Sequence, residues 1–383
     1  MKYSNSIYQA FDSALKTPEN VKRVLDNVNA KYNTTDWKLL TNVQPEQRTR
    51  RWGTILDEAE IAVMATVSDA NSPVPVRSIK GIETYEGSIP TMGHGFTLGA
   101  DDLQHVYEAG YSDDAAMQYL ADRFKARTGA RLQGIHSRLN FWIWQAMATG
   151  TMTVSAENNP DGIAFTYAYK MLPENKQCAK GAATAKWTNV SDTSTADPIA
   201  DIQRWCRMME DDRGVSDIML VMNKNTFRLF LHHPSVVAQI KNMTNLANVV
   251  GLTSLKDADL WRLIRDAFGL PPIYVIDVKQ TVESNGVPTV VESPFKDNVV
   301  SVVPRGQIFD LYHCPSTFTD MTSPDILVSS TENGLIYSLK EYSNNGRVTK
   351  WSFQTVAAPI LRNPKNLIIA NVDKNSSTGV LPE

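Results

Sequence analysis

Apolar residues recur at three- and four-residue intervals through Met117, Leu120, Phe124, Leu132, Ile135, Leu139, Ile143 and Met147. That spacing predicts one long α-helix over 113–149. Ser112 supplies an N-cap, Asp113 and Asp114 put carboxylates in the first turn, and Gly150 can end the helix. Unbroken, it would run roughly 55 Å at about 1.5 Å per residue, which is long for one ordinary globule. Gly129 and Gly134 are the places where it would bend.

Residues 1–50 read as helical and separate from any large core. Thr17 with Pro18 starts a helix whose Val21, Val24, Leu25 and Val28 share a face. About three turns are marginal alone, so this face needs a partner in the chain or on a neighbouring subunit. Residues 52–100 read as extended, with short β-prone pieces at Ile61–Val67, Val74–Ile79 and Phe96–Leu98. They hold too few apolar residues for a core, and an isolated two-stranded arm is at best marginally stable in water. Such an arm is expected to lie on another molecule.

Beyond the helix, Thr151–Ala156 and Ile163–Tyr169 predict a hairpin around the turn cluster ENNPDG. A polar connection follows. Asp197 and Pro198 then open a helix through Ile202, Trp205 and Met209, ended by Gly214. Strand Ile218–Met222, helical pieces Thr226–Leu231, Val236–Ile240 and Asp257–Phe268, and strand Ile273–Val278 make a compact α/β unit over about 190–300. The remainder is β-rich: Val299–Val303, Ile308–Tyr312, a hairpin Leu335–Tyr342/Arg347–Phe353 across Asn345-Gly346, and Leu367–Val372. Strands on both sides of the α/β unit imply that it is inserted into a discontinuous domain built on the long helix.

Composition narrows the class. A 383-residue chain with 42% hydrophobic content can form two or three packed units. Neither a run of eighteen apolar residues nor a signal-peptide pattern is present, so a soluble, cytoplasmically made protein without membrane contact is expected. Cys178, Cys206 and Cys314 have no disulfide or zinc spacing and read as buried thiols. A net charge of -3 gives no overall attraction to nucleic acid.

Catalytic motifs are missing: there is no G-x-S-x-G, H-E-x-x-H, Walker loop or C-x-x-C. Gly93, Gly95 and Gly99 miss the dinucleotide spacing by one residue. Adjacent His232 and His233 would point apart, and Glu210, Asp211 and Asp212 read as a solvated helix end. No catalytic, cofactor-binding or metal-ligating residue is therefore assigned. Arg48, Arg50 and Arg51 form a basic loop, and Arg123, Arg127, Arg131 and Arg138 share one flank of the long helix. Such groups pair with carboxylates or water, or face nucleic acid or a neighbouring subunit without base specificity.

Three stretches carry a resemblance. In AKWTNVSDTSTADPIADIQRW, followed by GVSDIMLVMNKNTFRLFLHHPSVVAQI, Trp187 and a polar run precede Asp197, Pro198, Asp201 and Ile202, then strand Ile218–Met222 and Phe230. FKDNVVSVVPRG contributes Asp297, Asn298 and Pro304, and WSFQTVAAPILRNPKNLIIANV contributes Pro359, Asn363 and Pro364. These stretches, with the order of parts, resemble the tailed-phage major capsid proteins of the Hong Kong 97-type fold, within them the lambda-type major capsid protein E family. The matches cover about 185–240 and 295–372, while 1–110 agrees in order and length.

The resemblance implies an α+β, Hong Kong 97-type fold. Its parts would be an N-terminal arm (1–65), an extended β-hairpin loop or E-loop (66–100), a peripheral domain with the spine helix (101–190 and 301–383) and an inserted α/β axial domain (191–300). It implies a non-enzymatic, cofactor-free homo-oligomer of pentamers and hexamers in an icosahedral shell, assembled in the host bacterial cytoplasm and found in the virion. Scaffolding, portal and decoration proteins and packaged double-stranded DNA would be partners. Arg77, Lys80, Glu83, Glu86, Phe96, Arg48, Arg50 and Arg51 become candidates for inter-subunit contact. Arg123, Arg127, Arg131 and Arg138 become candidates for a lumen-facing or subunit-facing stripe. An encapsulin-like nanocompartment shell, or a cytoplasmic enzyme of unknown chemistry, would be the alternatives.

Overall fold

The computed structural model describes residues 10–32, 35–56, 83–98, 102, 105, 108 and 111–381, the last run without 161, 192–193, 244–255, 278, 285–286, 292, 322, 324–325 and 344–347. Ahead of the long helix come α1 (Pro18–Asn29), α2 (Asp36–Leu40), β1 (Thr41–Val43), β2 (Arg51–Leu56), β3 (Glu83–Ser88) and β4 (Thr91–Leu98). The long helix is α3 (Asp113–Thr149), 37 residues capped by Ser112 Oγ, which accepts from Ala115 N, and closed by Gly150 at φ +69°. It runs as one continuous helix through Gly129 and Gly134. Gly134 permits close approach: a Cβ there would sit 2.8 Å from the His94 ring on β4.

Strands β5 (Thr151–Val154) and β6 (Phe165–Ala168) make the expected hairpin. Then come β7 (Lys176–Lys180), α4 (Pro198–Arg207) with a π-helical turn at Met208–Asp212, β8 (Ile218–Asn223), α5 (Lys224–Leu231), α6 (Pro234–Met243), α7 (Asp257–Phe268) and β9 (Ile273–Ile276). Strands β10 (Gln280–Ser284) and β11 (Val287–Val291) form an antiparallel ribbon that the pattern reading passed over. Its sequence signal is Asn285-Gly286, a two-residue hairpin turn pair. The chain closes through β12 (Val299–Pro304), β13 (Phe309–Cys314), β14 (Ile326–Thr331), β15 (Ile336–Ser343), β16 (Val348–Leu361) and β17 (Ile368–Ser376).

Two hydrophobic cores divide the molecule. The first lies between α3 and a six-stranded sheet ordered β1-β13-β16-β15-β14, with β4 also on β16. One edge of β16 carries β15, and the other carries β4 along 349–356 and then β13 along 356–361. Phe124 of α3 meets Trp351 of β16 at 4.8 Å between centroids and Phe96 of β4 at 6.0 Å.

The amino-terminal segment belongs to this core, contrary to the detached segment expected. Phe11, Leu15, Val21, Leu25, Trp37 and Leu40 are buried in it, which gives the short helix the partner it cannot do without. Phe96 is likewise corrected: at 8% exposure it is core, because β4 is a strand of the main sheet and not part of a projecting loop. The hairpin β2/β3 remains outside that sheet. Residues 57–82 between its strands, including Ile61–Val67 and Val74–Ile79, lie outside the described residues, as does the turn at Asn345-Gly346.

The second core sits on a five-stranded sheet ordered β7-β17-β12-β8-β9. Trp187, Ile202, Trp205, Phe230, Leu260 and Ile264 pack against Val300, Val302, Ile368 and Ala370. The α/β unit is therefore not closed within 191–300, as the sequence reading had it. All six residues of β8 are buried, so both its edges and both its faces must be covered. Parallel β9 takes one edge and antiparallel β12 the other, and β12 brings in β17 and then β7. The Ser301 hydroxyl donates to the Met147 carbonyl (2.8 Å), tying β12 to the end of α3.

Candidate functional site

The arginine flank of α3 is held largely by its own chain. Arg127 grips buried Asp102 with two bonds, 2.8 and 2.9 Å, and also donates to the Thr97 carbonyl. Arg123 forms an ion pair with the same carboxylate. Arg138 donates to the Asn158 carbonyl (2.6 Å) and lies over the Phe141 ring. Arg131 is half-buried. Of the stripe read as lumen-facing or subunit-facing, Arg123, Arg127 and Arg138 thus make internal contacts. The sequence signal that could have shown this is Asp102, an acid upstream of the cap, but which cation it pairs with is not a local property of the sequence.

The basic loop behaves differently. Arg48, Arg50 and Arg51 are exposed, and among the described residues none makes an ion pair. Their backbone is nonetheless fixed: Gln47 N donates to the His313 carbonyl, Ile89 N to that of Arg50, and Arg51 pairs with Ser88. The anchor is Trp52, 1% exposed, edge-on to Tyr167 and tilted against Tyr312. Tyr167 OH donates to the Ser88 carbonyl, closing the root of the β2/β3 hairpin. Glu86 is exposed on that hairpin. Arg77, Lys80 and the side chain of Glu83 lie outside the described residues.

On the second core, Glu210, Asp211 and Asp212 are exposed on the π-helical turn. Glu210 and Asp217 line a cleft of about 440 Å³ with Arg207, Cys206, Phe268 and Pro272. Burial pushes the Cys206 thiol up to about 12, so it stays protonated and unreactive at neutral pH. Cys178 and Cys314 are also buried and free. His232 is exposed and faces Asp257 (3.1 Å), whereas His233 is buried and its ordinary pKa is lowered by that burial. Among the described residues no three His, Cys, Asp or Glu side chains gather as metal ligands, and no helix is long and apolar enough to cross a membrane.

Two buried polar contacts were missed by sequence reasoning. His136 of α3 accepts at Nδ1 from Trp37 Nε1 (3.0 Å), so its proton lies on Nε2 and is donated to Asn29 Oδ1 (2.7 Å). Asn29 continues to Glu332, which also pairs with Lys38. Lys340, 1% exposed, meets Asp12 at 2.6 Å and the faces of Trp351 and Tyr342. Both clusters fasten residues 10–40 to the first core. A lone histidine in an apolar stripe and a lysine in a strand carry no local signal of such partners.

Comparison with known proteins adds a family. The model of the family described as phage major capsid protein E matches residues 26–372. No curated protein matches. Among solved structures, one described as the prophage capsid protein of E. coli CFT073 is 14% identical, covering 93% of this chain and 98% of that one, with a TM-score of 0.52. A phage-related protein from Bordetella bronchiseptica RB50 is 12% identical over 94% and 98%, with a TM-score of 0.45. The procapsid of satellite phage P4 is 8% identical over 90% and 98%, with a TM-score of 0.42.

Proposed function

From the premise that this chain belongs to the phage major capsid protein E family, and so is a structural subunit of the phage head and not an enzyme, we propose how its parts divide the work of building an icosahedral shell. The first core, with α3 and the six-stranded sheet, acts as the peripheral domain. The second core acts as the axial domain gathered at the centre of pentamers and hexamers, with boundaries moved to include β7, β12 and β17. Residues 57–82, rooted by β2 and β3, act as the extended loop that lies over the adjacent subunit, and the residues before α1 act as the arm. Scaffolding, portal and decoration proteins and non-specifically held double-stranded DNA are the other partners, and assembly takes place in the host bacterial cytoplasm.

The observation that carries this division is the β2/β3 hairpin. It leaves the core at Trp52 and, among the described residues, its two strands pair only with each other. A hairpin without further support is marginal in water and gains stability only on a surface. A closed shell provides that surface at every subunit through repeated heterologous contacts. Expression of the chain followed by electron microscopy tests the reading: uniform closed particles are expected, and a chain that stays monomeric when concentrated would overturn it. The same images separate it from a nanocompartment, whose particles would enclose protein cargo.

A further inference from the structure

We propose that the basic segment Arg48–Arg51 of one copy docks in the cleft between α4 and α7 of the next copy, one arginine entering between Glu210, Asp217 and Phe268. The inference rests on the shell reading, which makes a second copy the required neighbour, and it names a contact that this reading leaves open. Neither half has an ion-pair partner among the described residues. Among the described residues, Arg48, Arg50 and Arg51 have no ion pair, and neither do Glu210, Asp211, Asp212 and Asp217. The two halves sit on different cores of the chain.

The charges are complementary. The cleft holds about 440 Å³ and offers two carboxylates against one cation, Arg207, while Asp211 and Asp212 stand exposed on the same turn. Phe268 and Pro272 give it apolar walls. A guanidinium stacks on an aromatic face and forks to carboxylates, where the compact lysine ammonium does neither as well. The segment is also pre-organised, since Gln47, Arg50 and Arg51 are fixed through their backbones to β13 and β3, so docking orders little new chain. Because every copy carries both halves at different places, the contact is heterologous and can close a ring.

Charge reversal tests this. Particle yield is measured by sedimentation and electron microscopy for three proteins: Arg48→Glu/Arg50→Glu/Arg51→Glu, Glu210→Arg/Asp217→Arg, and the combination. Either set alone is expected to cut yield at least tenfold, and the combination to restore it to within threefold. All these positions are exposed, and unchanged circular dichroism and melting confirm folding. An independent check is Arg50→Cys/Asp217→Cys, expected to give inter-chain disulfides in oxidised particles. Full yield from either reversal, no rescue by the combination, or no inter-chain disulfide overturns the contact and leaves the shell reading intact. Loss caused by the arginine reversal only would point to nucleic acid and overturn it as well. If the unaltered chain forms no particles, the shell reading falls and this contact with it.

Discussion

His136 must stay neutral, because its Nδ1 accepts a bond and burial holds its pKa at about 3. In the unfolded chain the ring titrates at about 6.5. Between those values the unfolded state binds the extra proton, so stability present above pH 6.5 is lost as pH falls toward 3. At pH 5 the loss is roughly 2 kcal/mol. Melting of the unassembled chain at pH 7 and pH 5 should show this drop, and His136→Gln should remove most of it. An unchanged slope would refute the assignment. Lys340 gives a second residue-level expectation. Asp12→Ala strands its ammonium in the core and should cost about 3–5 kcal/mol in urea unfolding, whereas Lys340→Met, which removes the charge itself, should cost less. Equal losses would count against a buried ion pair. Neither cluster was legible in the sequence, since Asp12 and Lys340 are 328 positions apart and His136 reads as one polar interruption of an apolar stripe. Arg127 illustrates the same limit: its position on the flank was evident, its partner Asp102 was not.

Elements were read better than their partners. The helix 113–149, its Ser112 cap and its Gly150 stop follow directly from the sequence, because a 3.6-residue period and terminal capping are local properties. The hairpins at 151–168 and 336–361 were equally local. Strand β4 was read only in part, as Phe96–Leu98 within the extended loop; its glycines pass close to the β16 backbone, with a Cβ at Gly93 falling 2.4 Å from the Phe353 carbonyl oxygen. Assigning β4 to the sheet changes how the extended loop is best tested. Excision must spare 83–98, so residues 59–80 are replaced by a short Gly-Ser turn. The expected product is a folded chain whose melting temperature falls by no more than a few degrees and which forms no closed particles. Normal particles would show that this segment does not bridge subunits. Loss of folding would show that it belongs to the core.

At the scale of the molecule, two cores share one chain through β7, β12 and β17, so the carboxy-terminal segment returns to the second core after completing the first. The sequence shows the order of these parts but not this crossing, since strand pairing between 176–180 and 368–376 is a long-range choice made by burial. The family match makes the subunit a shell component, and the mechanical consequence is that every surface left unsupported in one copy must be supported by another. The most direct measurement is a cryo-electron microscopy reconstruction of the particles formed by the full chain. A closed shell is expected in which residues 57–82 continue the β2/β3 hairpin onto the adjacent subunit and the second core surrounds the five- and six-fold axes. A shell in which 57–82 fold back on their own chain, or with the first core at those axes, would contradict it.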